Sequence, residues 1–347
     1  MKVSQVLCAA GPVDAVTNQA LACRALFEQW GWGGKDYAAL SASGVDRRAI
    51  RPLQALNAAP DEFMLLHYSG YARGLERLFD SRRQSVLISH NITPARFFWD
   101  NDPLAAVRCE LGREQLAELS RGVGTLAGVS AYNANELRLM SGRTAAVIPV
   151  LFERDGLPPA GDPPTGPPTV LFVGRLAPHK RQDLVIQAFA AYRQRQPDAR
   201  LVLVGVPQSP AHLRALERLA QELAPGAVKF ESAVTPARLW DYYRSAHVFL
   251  CLSEHEGFCI PLLEAFHFGV PVVAREAAAI GEVVGDAGVL LGDDDGIIEV
   301  AELLRIVVGD TELRAELRAR GERRLAAFDH ARTAEKLRKQ LMTLAAT

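Results

Sequence analysis

Short apolar runs alternate with longer segments of helical periodicity along the whole chain. "VSQVLCAA" predicts a β-strand, and "AVTNQALACRALFEQWG" predicts a helix with Asp14 as N-cap and Gly31 as its stop. "EFMLLHYSG", "SVLISHNITP", "TLAGVSAYN" and "AAVIPV" continue as strands that end in polar or turn residues. Helical patterns such as "GREQLAELSRG" lie between them. This alternation predicts a parallel sheet with helices on both faces.

The pattern breaks at "ERDGLPPAGDPPTGPPT", residues 153–169, which holds six prolines and three glycines. Such a composition makes a semi-rigid linker. The alternation then restarts with the strands "TVLFVG", "RLVLVG", "VKF", "HVFLCLS", "PVVA" and "AGVLL". Helical patterns separate most of them, and helices close the chain from Ile297. The expected organisation is an N-terminal domain over 1–153, a linker over 154–168 and a second domain over 169–328. A last helix, about 329–347, is expected to pack back on the first domain. The fold class is α/β, two Rossmann-like doubly wound domains facing each other across a cleft. In such sheets ligands bind beyond the carboxyl ends of the strands, so the residues that follow each strand are the ones to inspect.

Composition narrows the function. The net charge of −1 leaves no basic field for a nucleic acid. Five cysteines without C-x-x-C spacing argue against a disulfide framework or a zinc site and fit a reducing cytosol. No apolar stretch approaches a membrane span in length.

Four constellations follow strands. In "FVGRLAPHKR", Gly174 permits a tight turn, and Arg175 and Lys180 can hold a phosphate or diphosphate. A solvated basic loop is the plainer alternative. In "SEHEGFCIPLLEAFHFGVPVVA", Pro261 marks a helix start and Glu264 falls in its first turn. Gly257, Phe258, Cys259 and Ile260 lead into that helix, whose N–H groups suit an anion. Glu256 is then placed for hydroxyls beside the anion, and Glu264 for another polar part of the same ligand. A sugar nucleotide has all three features, whereas Glu264 alone could simply complement the helix dipole. His67 and His90 end two strands, where a neutral imidazole can donate to a sugar hydroxyl. Gly11 opens a loop before a helix, but neither G-x-G-x-x-G nor G-x-x-x-x-G-K-[ST] is present.

"FVGRLAPHK" followed by "SEHEGFCIPLLEAFHFGVPVVA" resembles the retaining glycosyltransferases of family 4, which have the GT-B fold. "LLHYSGY", "SHNITPARFF" and "SAYNANELR" are similar to a bacterial subset that includes builders of surface polysaccharides. The resemblance implies that Arg175 and Lys180 hold the donor diphosphate and stabilise it as leaving group. It implies Glu256 on the donor sugar, Glu264 on the ribose, and the N–H groups of 257–260 on sugar and phosphate. Ala233 and Val234 would lie beside the base, His90 near the sugar, Gly11 near the phosphates, and Asp14 and Asn18 nearer the acceptor, as would His67. The single Gly11 and Ser232, where the family has more glycine, depart from its pattern. No cofactor and no metal are implied, because the cations and the helix end can offset the charge that grows on the diphosphate. The acidic "GDDDG" at 292–296 reads as a solvated turn.

The expected function is transfer of a hexose from a UDP- or GDP-linked donor to a glycan, lipid-linked or other hydroxyl acceptor. The expected location is the cytoplasm or the inner face of the membrane. The short basic cluster "SRRQS" at 81–85 does not decide between them. The alternatives are a nucleotide-sugar epimerase of the same fold and a non-catalytic sugar-nucleotide-binding subunit.

Overall fold

A computed structural model of the chain describes all residues except 13, 58, 60, 61, 77–83, 346 and 347. Residues 81–83 of the basic cluster thus lie outside the described residues. The chain divides into two units, Met1–Leu151 with Phe328–Thr347, and Phe152–Ala327.

The first unit contains β1 (Val3–Ala10), α1 (Ala15–Gln29), β2 (Asp36–Ser41), β3 (Ile50–Pro52), β4 (Phe63–Tyr68) and β5 (Ser85–Ser89). It continues with α2 (Pro103–Gly122), β6 (Thr125–Gly128), α3 (Ala131–Ser141) and β7 (Ala145–Val147). The seven strands form a parallel sheet in the order β3-β2-β1-β4-β5-β6-β7. The chain therefore starts mid-sheet, builds outward to one edge and returns on the other side of β1. That reversal is the switch point at which open α/β sheets bind ligands.

The second unit holds β8 (Thr169–Val173), α4 (Gln182–Arg193), β9 (Arg200–Val204), α5 (Pro210–Leu223), β10 (Val228–Glu231), α6 (Pro236–Ser245) and β11 (Val248–Cys251). After these come α7 (Ile260–His267), β12 (Val272–Arg275), α8 (Ile280–Val284), β13 (Val289–Leu291), α9 (Ile297–Gly309) and α10 (Thr311–Leu325). Its six parallel strands run β10-β9-β8-β11-β12-β13, with the switch between β8 and β11. The central strands are buried on both faces, which is why they read as continuous apolar runs. Phe172, Phe189, Tyr192, Leu203 and Leu250 fill the core between this sheet and its helices. The closing helix α11 (His330–Ala345) lies with the first unit, where Arg338 sits 5.6 Å from the centre of the Trp30 ring.

Helix starts follow their local chemistry. Asp14, Asp102, Ser130, Ser209 and Thr235 each accept from a backbone N–H of the first turn, and Pro103, Pro210 and Pro236 begin their helices. Asp102 and Pro103 start α2 nine residues before the apolar pattern at Gly112 becomes clear. Strands β2 and β3 were not among the predicted strands. Both are short, near one edge of the sheet, and partly exposed, so they lack a continuous apolar run. The proline-rich segment is tied along the second unit. The Pro158 carbonyl lies 2.9 Å from His267 Nε2, and Arg244 and Arg318 donate to the carbonyls of Pro159 and Gly161. Among the described residues no helix is long and apolar enough to cross a membrane.

At the carboxyl edge of the second sheet the loops after β8 and β9 come into backbone contact. Gly174, at φ +153°, donates to Val204 O at 2.9 Å. A Cβ on Gly205 would fall 1.8 Å from Gly174 O. Gly205→Ala is therefore expected to lower stability by about 2 kcal/mol or more, since backbone must move to admit the methyl group. Gly156→Ala, where an added carbon meets nothing within 4 Å, is the control, and urea unfolding of both variants measures the difference.

Candidate functional site

The strands that flank the switch of the second sheet, β8 and β11, deliver their loops to the same place. The loop after β8 turns at Gly174 and carries Arg175 on an exposed position, its backbone held by Gln182 Nε2, which donates to Arg175 O at 3.0 Å. The loop then closes a short turn at Pro178–Lys180. Glu254 N–H, after β11, donates to His179 O at 2.8 Å. Arg181, in the left-handed region at φ +50°, pairs with Glu254 and with Asp183. Backbone and ionic bonds thus fix one loop against the other.

Between them Lys180 Nζ lies 2.5 Å from Glu256 Oε1, with the side chains 15% and 9% exposed. Burial acts to lower the Lys180 pKa, but the Glu256 carboxylate beside it outweighs this, and the net shift is upward. The ammonium is therefore secured. His179 is buried and stands beside that cation, so its imidazole is held neutral, down to about 2.

The segment after Glu256 enters α7. The helix begins at Ile260, with Pro261 in its second position and Cys259 as its N-cap in the left-handed region, φ +73°. No side chain caps this end. Glu264 differs from expectation. Counted from Ile260 it falls in the second turn, and the first turn holds no acidic residue. Dipole complementation in that turn is thus not its role. Tyr243 OH donates to Glu264 Oε2 at 2.6 Å, and burial pushes the Glu264 pKa up although this bond opposes it. Tyr243 escaped the sequence reading, since nothing local links α6 to α7. Ala233 follows β10 in the left-handed region at φ +53°, exposed, with Val234 half-buried before α6.

The first unit solves a similar placement without formal charge at the sheet edge. Gln5 Nε2 donates to Ala20 O at 2.8 Å and to Asp36 Oδ1 at 2.9 Å, which turns its carbonyl oxygen towards His67. Arg24 pairs with Asp36 at 2.6 Å. His67 Nε2 must then donate to Gln5 Oε1, 2.8 Å away, leaving Nδ1 as acceptor. His90 Nε2, 3.0 Å from His67 Nδ1, donates to it. The bonds fix His90 with Nδ1 as its acceptor. His67 is fully buried with both ring nitrogens engaged, so it orients His90 and does not face a ligand, contrary to expectation. Burial first, and then His90, hold the His67 pKa well below its ordinary value, while burial lowers His90 to about 4. Gln5 and Asp36 were not singled out from sequence. The signal was a polar residue inside the apolar run of β1.

The first loop is internally bonded. Gly11 N–H donates to Thr17 Oγ1 at 3.0 Å, and Asp14 Oδ2 accepts from Thr17 N–H and hydroxyl, both at 2.8 Å. Asp14 therefore caps α1, and Asn18 is exposed on that helix.

Two outcomes follow. Lys180→Met and Glu256→Gln should each cost about 3 kcal/mol or more, and the double variant clearly less than their sum, because each single change strands a buried group. A urea-unfolding double-mutant cycle reads the coupling. In the first unit, the folded state binds the imidazole protons less readily than the unfolded state does. Stability should then fall as the pH drops from about 6.5 towards the His90 value of about 4. Imidazole NMR should show both rings neutral at pH 7.

Residues 154–324 match the family model of glycosyl transferases group 1. The D-inositol 3-phosphate glycosyltransferase of Acidothermus cellulolyticus is 36% identical over 160 residues, 43% of this chain and 35% of that protein. The chain thus spans well under two thirds of this relative's length. Among solved structures, WaaG, a glycosyltransferase involved in lipopolysaccharide biosynthesis, superposes with a TM-score of 0.74 at 15% identity, over 96% of this chain and 98% of WaaG. Anabaena Alr3699/HepE in complex with UDP and glucose gives 0.75 at 18% identity, over 99% and 100%. The solved structures share this chain's fold of two Rossmann-like parallel-sheet units, and the group 1 match falls within the second unit.

Proposed function

We propose that the chain is a retaining, family 4 glycosyltransferase that moves a hexose from a UDP- or GDP-linked donor to a hydroxyl acceptor on a glycan or lipid-linked carrier. The observation that carries this is the buried Lys180–Glu256 pair at the β8/β11 switch, beside a helix start that no side chain caps. A cation, a hydroxyl-binding carboxylate and an anion-binding helix end within one switch point suit a sugar diphosphate. UDP in the similar Anabaena protein supports a nucleotide donor.

In this reading residues 169–328 form the donor side, residues 1–153 the acceptor side, and 154–168 the link between them. The bond from C1 to the diphosphate oxygen breaks, and its electron pair stays on the phosphate. Arg175, Lys180 and the N–H groups of 257–260 stabilise that charge. Glu256 accepts from hydroxyls of the sugar, and Glu264 from the ribose. Ala233 and Val234 flank the base, Gly174 lets the loop turn towards the diphosphate, and Gly11 lies near the phosphates. His90, neutral with Nδ1 as acceptor, takes a hydrogen bond from a sugar hydroxyl. The acceptor oxygen attacks from the face the diphosphate leaves, and its proton passes to the departing phosphate oxygen. Asp14 and Asn18 lie nearer the acceptor. No metal or other cofactor takes part, and the protein works in the cytoplasm or at the inner face of the membrane.

A thermal-shift panel of sugar nucleotides tests the donor site. The true donor should raise the Tm by mass action, and Glu256→Gln should lose most of that rise while remaining folded. Turnover in Glu256→Gln and in Lys180→Met should fall at least about a hundredfold, with the anomeric configuration of the product retained in the wild type. Absence of stabilisation by every UDP- and GDP-hexose would overturn the proposal.

A further inference from the structure

The two thiols of one buried cluster are not used by this chemistry. Cys251 at the end of β11, Glu256 in the loop and Cys259 at the α7 N-cap place a ligand atom each within 4.8 Å of one another. Both thiols are at or near the interior, and none of the cysteines is in a disulfide. The Cys259 thiol donates to Cys251, which lowers the Cys251 pKa and drives that of Cys259 well up. Ser253 Oγ lies 3.4 Å from Cys251 Sγ. Thiols at buried positions commonly act as small apolar side chains, but two of them meeting a carboxylate that already carries a cation is a different arrangement.

We propose that Cys251, Glu256 and Cys259 form a binding site for a thiophilic divalent cation, of which zinc is the best fit, and that the bound metal shuts the donor site by taking Glu256. Two sulfurs and one carboxylate oxygen with a fourth position open to water are a donor set that zinc accepts. A tetrahedral site with Zn–S bonds of about 2.3 Å places its sulfurs roughly 3.8 Å apart. A carboxylate oxygen bound at about 2.0 Å would lie roughly 3.5 Å from each sulfur, so the three ligand atoms need draw together by about 1.3 Å at most. Charge favours the exchange. Before binding, the Glu256 carboxylate and the Lys180 ammonium cancel. On binding, each thiol loses one proton to solvent and two Zn–S bonds form, so that metal, two thiolates, carboxylate and ammonium again sum to zero. No net charge is buried in either state, which removes the largest penalty such a site faces. The inhibitory half of the proposal rests on the role assigned to Glu256, whereas the site itself does not.

Cobalt(II) is the spectroscopic probe. Metal-free protein of residues 1–347, held reduced by a phosphine, is titrated with cobalt. The expected result is a thiolate-to-cobalt charge-transfer band that saturates at one equivalent, is bleached by zinc, and is lost in Cys251→Ser and in Cys259→Ser. Circular dichroism establishes that both variants are folded. If either fails to fold, alkylation protection read by mass spectrometry replaces it, with zinc expected to shield both thiols of the wild type. No band in the wild type, or an equal band in the serine variants, would overturn the site. With zinc at ten times its own Kd, simple competition should raise the apparent donor Kd about elevenfold. A saturating band with unchanged donor affinity would overturn the competition and count against Glu256 as a donor ligand. Absence of the band from the wild type with donor binding intact would sink the metal site alone.

Discussion

Lys180 and Glu256 can be buried only as a pair. An ammonium or a carboxylate sunk alone at this depth would cost several kcal/mol, so the two loops that carry them must meet. The rest of the second unit's carboxyl edge can be read as the means of that meeting. Strands β8 and β11 are neighbours only because the chain reverses its strand order between them. Glu254 N–H on His179 O sets the spacing of the loops, Arg181 locks it from the side, and Gly174 against Gly205 allows the first loop to leave its strand so sharply. The pair is an outcome of topology as much as of sequence.

The two units share a strand order but place different chemistry at its switch point. The second holds a full charge pair, and the first a neutral chain that runs from Gln5 through His67 to His90, anchored on Asp36, which Arg24 pairs. The neutral solution has a physical reason. Each member of the chain has both a donor and an acceptor to spend, so direction passes along it without a proton being added. A protonated His67 would have to donate from both nitrogens, and the bond from His90 would be lost. Burial, which keeps both imidazoles neutral, therefore also keeps His90 in a single tautomer. That is orientation achieved by counting donors, and it reaches from β2 across β1 and β4 to β5.

Much of this was legible in the sequence, because period and punctuation are local. The central strands are apolar runs, and their ends are marked by Gly174, His90 and the Ser253–Glu256 stretch. Asp14 announces its own helix. Strands β2 and β3 were not legible, since an edge strand half-exposed to solvent needs no apolar run. Nor were Tyr243 and Asp36, whose partners lie 21 and 31 residues away and are met only in the fold. Gln5 was visible in retrospect as a polar residue in a strand with no exposed face to hold it.

Glu264 stands a turn later in α7 than the sequence pattern places it, and its support changes accordingly. Placed in the second turn rather than the first, it stands four residues beyond Ile260, about 6 Å along the helix. Side chains on a helix lean back towards its N-terminus, and positions four apart share a face. A second-turn glutamate therefore still reaches towards the helix start, where Glu256 and Cys259 lie. What a first-turn carboxylate would have gained from the helix dipole is replaced by the Tyr243 hydroxyl. That hydroxyl cannot wander, because its ring is stacked between Phe268, at 5.4 Å and 12°, and Phe249, at 6.2 Å and 17°. The aromatic stack thus sets the tyrosine, and the tyrosine sets one oxygen of the carboxylate. Two carboxylates eight positions apart are held by unrelated means, one by a lysine and the other by a wall of rings.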